Sequence, residues 1–358
     1  MDDGKIKVLV CDDSALIRIV LRNIINKQSD MKIIGTANNG KEAIEIAEEL
    51  KPDVITLDIE MPVMNGLEAL KIIVKNKLAP VIMFSSLTKE GAEETLESIE
   101  IGAFDYVTKP SGGESLLNKE GEIVEKIRCA FSSKIYSKLD VIKKRNVEIE
   151  RKKIEVIKKE PSNFDFKLVA IGISTGGPKT IFKVLPKLPE DINAAVVLVQ
   201  HMPPPFIPSY VARINSKTKL ECVESEPGMK IERGRIYVAR GGFHFKLIKN
   251  RNCALIRQSK EPKHLFIPSV DVMMDSVSDI FKSDTIGVLM TGMGRDGAKG
   301  MVKITKLGGF TIAESKETAI VFGMPQEAIN IGGAKVVLPH YLIASEIIKA
   351  VNNGGKYE

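Results

Sequence analysis

The sequence predicts an α/β protein with two domains, residues 1–128 and 166–358, joined by a charged linker at 129–165. Three observations lead to this class. Over the first domain, short apolar runs alternate five times with segments of helical periodicity, as in a doubly wound five-stranded parallel sheet. Over the second domain, β-branched runs typical of buried parallel strands alternate with amphipathic helices, and closely spaced runs suggest an added β-hairpin. The length of 358 residues also suits two domains better than one.

The composition is that of a soluble globular protein. Hydrophobic residues make up 44% of the chain and charged residues 27%. No apolar run approaches the ~20 residues needed to cross a membrane, and the first residues do not resemble a signal peptide. The four cysteines lack the spacing of a metal site, which is typical of proteins from a reducing compartment. We therefore expect a cytoplasmic protein that is not inserted in a membrane.

The net charge of +6 is concentrated in the linker. Residues 140–160 carry eight basic and five acidic side chains, a net charge of +3, so half of the excess lies in this stretch. After Tyr136 no aromatic residue interleaves the basic ones, which argues against a nucleic-acid-binding arm, the main alternative. A solvated linker that lets two domains press together or separate is the favoured interpretation, and no nucleic-acid partner is expected.

The first domain contains five predicted strands. They cover residues 6–10, 31–37, 53–57, 80–84 and 104–108, and predicted helices cover 15–25, 40–50 and 67–75. In a parallel sheet of this kind, ligands bind beyond the carboxyl ends of the strands. Five polar side chains follow the strands at that edge: Asp12, Asp13, Asp58, Ser85 and Lys109.

The polar side chains at this edge predict a phosphoryl-transfer site. Three neighbouring carboxylates repel one another unless a hard cation binds among them, and Mg²⁺ prefers such oxygen ligands. The cation and the ammonium group of Lys109 would then stabilise a phosphoryl group transferred to one carboxylate. Helix capping explains Asp12 or Asp13 taken singly, but not the whole set.

With these motifs, residues 5–128 resemble a response-regulator receiver domain, which has a flavodoxin-like fold. The resemblance implies that Asp58 is the phospho-acceptor and that a histidine kinase is the phosphodonor. It also implies Mg²⁺ as a cofactor, with four ligand residues: Asp12, Asp13, Asp58 and, through its backbone carbonyl, Glu60.

The resemblance also assigns residues that respond to phosphorylation. Ser85 and Lys109 would contact the phosphoryl group, and Tyr106 would be the aromatic residue that responds to it. The sequence departs from the family at residues 64–66, where M-N-G replaces the commoner M-D-G in a turn.

The second domain opens on a glycine-rich stretch, K-L-V-A-I-G-I-S-T-G-G-P, at residues 167–178. An apolar run ends just before Ser174 and a helix is expected from Thr180 onward, so Ser174 lies on a tight strand-to-helix turn. Glycines allow the sharp bend, and the helix N-terminus favours an oxyanion. These features match a nucleophile elbow, G-x-S-x-G. From this stretch alone a phosphate-binding loop is equally possible, although the spacing fits neither G-x-G-x-x-G nor a P-loop.

Two further loops at strand ends carry possible partners of Ser174. His201 follows the apolar run at 194–200, and Asp296 lies in the glycine-rich loop that follows the run at 285–290. Acyl transfer needs a hydroxyl group to attack, an imidazole to accept its proton and a carboxylate to orient the imidazole. Each residue alone is more often structural, as a turn residue, a core histidine or a helix cap. The three loops together favour a serine hydrolase.

Other segments complete the predicted second domain. Residues 236–240 and 244–248 suggest the hairpin, with 254–258 as a possible neighbour. Helices are expected over 210–215 and 270–281, near Ala298 and at the C-terminus, and further strands over 309–313 and 334–338.

The motifs G-I-S-T-G-G-P, Q-H-M-P and T-G-M-G-R-D-G, in this order, resemble the catalytic domain of the CheB family of chemotaxis methylesterases, a Rossmann-like doubly wound domain. The resemblance implies that Ser174 is the nucleophile, His201 the general base and Asp296 the residue that orients it. The backbone N–H of Met293 would help form an oxyanion hole, and Thr175 could fix the imidazole.

The resemblance also implies the substrate and the control of the enzyme. The substrates would be methylated chemoreceptor cytoplasmic domains, whose glutamyl methyl esters are hydrolysed to methanol and glutamate; many members also deamidate glutamines there. A chemotaxis histidine kinase would phosphorylate Asp58, and we expect the unphosphorylated first domain to cover the catalytic loops. The alternative is a response regulator whose second domain only binds DNA or a small molecule, but the second domain lacks a basic recognition helix.

Overall fold

The computed structural model describes residues 4–110, 115–139, 154, 156 and 160–352. The chain forms two compact units, and the division between them falls within the predicted linker, between residues 147 and 148. Each unit is an α/β structure built on a parallel sheet, which confirms the predicted fold class. No helix among the described residues is long and apolar enough to span a membrane.

The N-terminal unit is a five-stranded parallel sheet with the strand order β2-β1-β3-β4-β5. Its strands are β1 (Ile6–Cys11), β2 (Met31–Ala37), β3 (Val54–Asp58), β4 (Val81–Ser85) and β5 (Asp105–Thr108). Its helices are α1 (Ala15–Asn26), α2 (Gly40–Leu50), α3 (Gly66–Lys75), α4 (Lys89–Ile101) and α5 (Glu120–Leu139). The three central strands β1, β3 and β4 are almost wholly apolar and buried, as expected for strands covered on both faces.

Polar side chains cap the N-termini of α1 to α4. Ser14, Asn39, Asn65 and Thr88 each accept a hydrogen bond from a backbone N–H group in the first turn of the following helix. The Asn65 side chain forms a capping box with Glu68. Asn65, in the M-N-G turn at 64–66, therefore acts as the N-cap of α3.

The C-terminal unit is a seven-stranded parallel sheet with the order β14-β13-β12-β6-β7-β9-β8 and a separate antiparallel hairpin, β10-β11. The strands are β6 (Lys167–Ile173), β7 (Ala194–Gln200), β8 (Glu221–Glu224), β9 (Arg235–Val238), β10 (His244–Asn250), β11 (Cys253–Ser259), β12 (Thr285–Leu289), β13 (Phe310–Glu314) and β14 (Val336–Leu338). The helices are α6 (Gly177–Thr180), α7 (Ile207–Lys217), α8 (Val270–Phe281), α9 (Ala298–Lys306), α10 (Gly323–Asn330) and α11 (His340–Asn352).

Helices α8 and α9 and the hairpin cover one face of this sheet. Buried apolar side chains of β6, β7, β12, α8, α9 and both hairpin strands form one continuous core. The central strands β6, β7 and β12 are buried along almost their whole length. These three strands hold the loops that carry Ser174, His201 and Asp296, so the buried centre of the sheet supports the predicted triad.

Two expectations about local structure were wrong. The segment at 236–240 does not pair with 244–248: it forms β9, a parallel strand between β7 and β8, and the hairpin partner of β10 is β11. The helix expected from Thr180 onward is a single turn, α6, followed by two short 3₁₀ turns. Pro186 lies in the second of these turns, where its missing N–H group prevents a longer α-helix.

The described ends of the predicted linker belong to the two units. Its first residues, up to Leu139, continue α5. At its other end, Ser162 donates two hydrogen bonds to the Asp284 carboxylate, at 2.6 and 2.8 Å, and Phe164 stacks on Phe281 at 4.5 Å. The charged stretch at 140–153 lies outside the described residues.

Candidate active site and phosphorylation site

Ser174 lies at the carboxyl end of β6, on the turn into α6. Its N–H group donates to the carbonyl oxygen of Thr291 (3.0 Å), and its carbonyl oxygen accepts from the N–H group of Gly177 (2.7 Å). Gly176 closes the turn with a φ of +76°, a left-handed conformation that favours glycine. Gly177 is also required, because a Cβ atom there would lie 2.2 Å from Oε1 of the buried Gln200.

The structure brings Ser174, His201 and Asp296 together from three loops. The Ser174 hydroxyl lies 3.1 Å from Nδ1 of His201, and Nε2 of the same ring lies 2.9 Å from Oδ2 of Asp296. An ionised carboxylate can only accept hydrogen bonds, so Nε2 carries the proton that faces Asp296. Nδ1 is then left as an acceptor for the Ser174 proton, as a general base requires.

The carboxylate of Asp296 lies at the N-terminus of α8. Besides His201, it accepts hydrogen bonds from the N–H groups of Val270 (2.7 Å) and Asp271 (3.0 Å) and from the hydroxyl of Ser269 (2.8 Å), the N-cap of the helix. Burial alone would raise its pKa, but His201 and these backbone donors lower the pKa of Asp296 to about 2. The positive end of the helix dipole adds to this effect. Asp296 therefore stays ionised at neutral pH.

An aromatic ring shields the imidazole of His201. The ring of Phe266 is stacked on it, with centroids 4.3 Å apart and an angle of 12° between the planes, and only 6% of the His201 side chain is exposed. The loop that carries Phe266 is held by the buried His244. Nε2 of His244 lies 2.9 Å from the carbonyl oxygen of Pro262, and Nδ1 accepts from the N–H group of Ser269 (3.1 Å).

The backbone around Met293 fits the predicted oxyanion hole in one respect. Among the described residues, no acceptor is found for the Met293 N–H group, so this donor is available. The loop before it runs directly against the nucleophile, because a Cβ atom on Gly292 would lie 2.9 Å from Cβ of Ser174. The role of Met293 stays a prediction.

Thr175 is buried beside the nucleophile, and its carbonyl oxygen accepts from the Thr291 hydroxyl at 2.9 Å. Both nitrogens of His201 are already paired with Ser174 and Asp296. A hydrogen bond from the Thr175 hydroxyl to the imidazole would have to replace one of these contacts. That Thr175 fixes the imidazole stays a prediction.

The predicted phosphorylation site also assembles at the edge of a sheet. Nζ of Lys109 lies 2.6 Å from Oδ2 of Asp58 and 2.9 Å from Oδ2 of Asp12. Burial, and then the charge of Asp12, raises the pKa of Asp58 to about 7, although Lys109 opposes the shift. Gly66 approaches this strand end closely, since a Cβ atom there would lie only 1.9 Å from the Asp58 carbonyl oxygen.

The donor atoms around Asp58 suit a hard cation. Carboxylate oxygens of Asp12, Asp13 and Asp58 all lie within 4.8 Å of one another. Asp13 and the exposed Glu60 line the same surface depression beside the acidic edge. Three converging carboxylates with a charge that one lysine only partly balances are a donor set that fits Mg²⁺.

Ser85 and Tyr106 lie where the sequence placed them. Ser85 ends β4 fully buried, and its hydroxyl has no hydrogen-bond partner among the described residues. Such an unpaired hydroxyl group is available to a phosphoryl oxygen. Tyr106 is a buried residue of β5, and the ammonium group of Lys126 lies 5.1 Å from the centre of its ring.

A second group of possible metal ligands, His264, Asp271 and Asp296, lies beside the triad. Both carboxylate oxygens of Asp296 already accept hydrogen bonds, and Oδ1 of Asp271 accepts from the N–H group of Gly300 (2.8 Å). These carboxylate oxygens are therefore already occupied by protein donors.

Sequence reasoning missed several residues around the triad. Ser269 contacts Asp296 and Phe266 contacts His201, while Thr291 contacts the Ser174 turn. His244 and Glu314 lie one step further out, bonded to Ser269 and Thr291. One signal was available for Ser269, since a serine directly before the predicted helix at 270–281 indicates an N-cap and hence an anion-binding helix end. The other contacts join segments far apart in the sequence.

Comparison with known proteins relates each of the two units to a family. The model of the CheB methylesterase family matches residues 169–347, and the response regulator receiver domain model matches residues 8–119. A protein-glutamate methylesterase/protein-glutamine glutaminase of Syntrophomonas wolfei is 49% identical and covers 97% of this chain and 99% of the relative. One from Thermotoga maritima is 44% identical over 98% of this chain and 100% of the relative. The crystal structure of the CheB methylesterase catalytic domain of Thermotoga maritima aligns with a TM-score of 0.52 at 42% identity, over 52% of this chain and 100% of that one.

A parallel-sheet receiver unit followed by an α/β unit with a serine, histidine and aspartate at its strand ends defines a response regulator with a hydrolase output. The chain belongs to the CheB family: it is a chemotaxis-type protein-glutamate methylesterase/protein-glutamine glutaminase with a receiver domain.

Proposed function

We propose that this enzyme hydrolyses glutamyl methyl esters on the cytoplasmic domains of chemoreceptors, and that Ser174, His201 and Asp296 carry the reaction. The observation that supports the proposal best is the continuous chain of hydrogen bonds from the Ser174 hydroxyl through His201 to Asp296. The function places the protein in the cytoplasm, where these receptor domains lie.

Acylation begins with attack of Ser174 Oγ on the ester carbonyl carbon. Nδ1 of His201 takes the serine proton, and the ionised Asp296 stabilises the imidazolium through Nε2. The N–H group of Met293 donates to the oxyanion of the tetrahedral intermediate. As the intermediate collapses, the bond to the methoxy group breaks and His201 returns the proton to it, which releases methanol and leaves an acyl-enzyme on Ser174.

Deacylation repeats these steps with water. His201 removes a proton from the water, whose oxygen attacks the acyl carbon, and the proton is then returned to Ser174 Oγ as the glutamate side chain leaves. The same steps with a glutamine side chain would release ammonia instead of methanol. The stacked ring of Phe266 covers one face of the imidazole and keeps bulk water from it. The proton that His201 takes from Ser174 is therefore passed to the leaving group rather than lost to solvent.

Phosphorylation of Asp58 by a chemotaxis histidine kinase controls this activity in our proposal. Asp12, Asp13, Asp58 and the carbonyl group of Glu60 would hold Mg²⁺, which supplies charge neutralisation at the transferred phosphoryl group. Lys109, now paired with Asp58 and Asp12, would move to a phosphoryl oxygen, and the unpaired hydroxyl of Ser85 would donate to another. Tyr106 on the neighbouring strand would respond to this rearrangement.

The proposal is tested by methanol release from methylated receptor cytoplasmic fragments. The wild-type full chain should release methanol, and Ser174→Ala should release none above background. Ser278→Ala is a matched control, because it removes another buried serine hydroxyl of the same unit, which donates to the Asp275 carbonyl oxygen within its own helix. Activity that survives in Ser174→Ala would refute the assignment of the nucleophile, and no activity in the wild type would favour a binding output domain.

Control by phosphorylation is tested in the same assay with a small phosphodonor and Mg²⁺. The wild type should become more active, while Asp58→Asn should keep only its basal rate with or without the phosphodonor. An equal increase in both proteins would show that the phosphodonor acts elsewhere and that Asp58 is not the acceptor.

A further inference from the structure

Thr291 connects the nucleophile to the rest of the sheet. It is fully buried and lies two residues beyond Leu289, the last residue of β12. Its carbonyl oxygen accepts from the Ser174 N–H group at 3.0 Å, and its hydroxyl group donates to the Thr175 carbonyl oxygen at 2.9 Å. Its own N–H group donates to Oε2 of Glu314 at 2.8 Å. All three polar groups of Thr291 are thus hydrogen-bonded, two of them to the backbone of Ser174 and Thr175.

Glu314 ends β13 as a fully buried carboxyl group. It accepts from the Thr291 N–H group and, at 2.9 Å, from the Thr318 hydroxyl, and it has no ion-pair partner among the described residues. A buried carboxyl group held by two neutral donors is costly. The Glu314 carboxyl group supplies the acceptor for the Thr291 N–H group, so its side chain helps to fix the backbone at Thr291.

Hydrogen bonds of the neighbouring residues fix the backbone that leads to the Met293 N–H group. Gly292 follows Thr291 directly. Its N–H group donates to the Val321 carbonyl oxygen at 2.9 Å, and its carbonyl oxygen accepts from the Met324 N–H group, also at 2.9 Å. The Val321 N–H group in turn donates to the Thr291 hydroxyl at 2.9 Å. Both backbone polar groups of Gly292, the residue before Met293, are therefore hydrogen-bonded to the segment at 321–324.

We infer that Thr291 and Glu314 are positioning residues of the hydrolase, which set the Ser174 hydroxyl and the Met293 N–H group at the separation that the tetrahedral intermediate needs. The inference rests on the proposed function, because it takes Ser174 as the nucleophile and Met293 as an oxyanion donor. Neither Thr291 nor Glu314 touches the reacting atoms; both act through the backbone of the two loops.

The first test compares Thr291→Val with Thr305→Val in the methanol-release assay. Both variants remove a buried, hydrogen-bonded hydroxyl group. That of Thr305 contacts the Gly333 carbonyl oxygen and the Thr311 hydroxyl, neither of which belongs to the triad loops. Thr291→Val should lower kcat about ten- to a hundredfold with KM changed less than about twofold, because a donor is displaced rather than removed. Thr305→Val should leave both constants close to wild type, and Thr291→Ser should restore kcat.

The second test changes Glu314. Glu314→Gln keeps an oxygen atom that accepts from the Thr291 N–H group and should keep kcat near wild type, whereas Glu314→Leu removes the acceptor and should lower kcat as Thr291→Val does. If Glu314→Leu fails to fold, Thr291→Val alone decides. A kcat for Thr291→Val equal to that of Thr305→Val would overturn the inference.

The rate at which a fluorophosphonate labels Ser174 separates this inference from the proposed function. A wild type that is labelled but releases no methanol contradicts the proposed substrate. Slower labelling of Thr291→Val than of Thr305→Val still supports the positioning role in that case, and equal labelling rates refute it.

Discussion

Replacing Glu314 by Gln should raise the stability of the protein at high pH and leave it almost unchanged at low pH. Burial raises the pKa of Glu314 from 4.5 to about 7 in the folded protein, although the Thr291 N–H group and the Thr318 hydroxyl oppose the shift. In the unfolded chain the carboxyl group has its ordinary pKa. Between these values the folded state holds more protons than the unfolded state, so stability falls as pH rises through the window.

The size of the effect follows from the shift in pKa. The pKa of Glu314 differs by about 2.5 units between the folded and unfolded states, which corresponds to ~3 kcal/mol. The ionised carboxylate destabilises the folded wild type by this amount above pH 7, and the effect is absent below pH 4.5. Glutamine does not ionise and fills nearly the same volume. The free energy of unfolding of Glu314→Gln minus that of the wild type should therefore increase by ~3 kcal/mol from pH 4.5 to pH 8.

Urea unfolding followed by far-UV circular dichroism measures this difference, since the protein has no tryptophan for a fluorescence assay. All other titrating groups are shared by the two proteins and cancel in the difference. The exposed Glu190→Gln provides a control for loss of charge and should show no such increase. A difference between Glu314→Gln and wild type that stays constant from pH 4.5 to pH 8 would refute the argument that burial governs the titration of Glu314.

Three further predictions concern the two sites. Asp296→Asn should lower kcat about a hundredfold or more in the methanol-release assay, because it removes the charge that stabilises the His201 imidazolium; an unchanged kcat would contradict this role. Phe266→Ala should lower kcat about fivefold in the same assay, from the loss of a stacking contact of ~1 kcal/mol; a kcat equal to that of the wild type would show that the stacked ring does not support His201. Gly66→Ala should abolish phosphorylation of Asp58 by a small phosphodonor, because its Cβ atom would lie 1.9 Å from the Asp58 carbonyl oxygen; normal phosphorylation would show that the loop can move aside.

Part of the architecture was not accessible from the sequence. The hairpin was assigned to the wrong pair of strands because G-G-F at 241–243 looked like a hairpin turn. The true turn lies between Asn250 and Cys253, where Arg251 adopts a φ of +49° without a glycine to signal it. The edge strand β8, with only four residues, was not predicted at all.

The strands, and with them the predicted site residues, were accessible because their signals are local. A buried parallel strand requires an uninterrupted apolar run, and the residue after the run lies at the carboxyl edge of the sheet whatever the strand order. This rule alone placed Asp12, Asp58 and Lys109 at one edge, and Ser174 and His201 at another. The loop with Asp296 followed from its glycines after a third apolar run.

Tertiary structure decided how the predicted residues are supported. The N-terminus of α8 under Asp296, the ring of Phe266 on His201 and the bonds from Glu314 through Thr291 to Ser174 all join segments distant in sequence. Their positions depend on strand order and on the packing of α8 and the hairpin, which no local pattern encodes. The sequence by itself determined which chemical groups the sheet edges carry; only the folded chain decided how their charges and orientations are held.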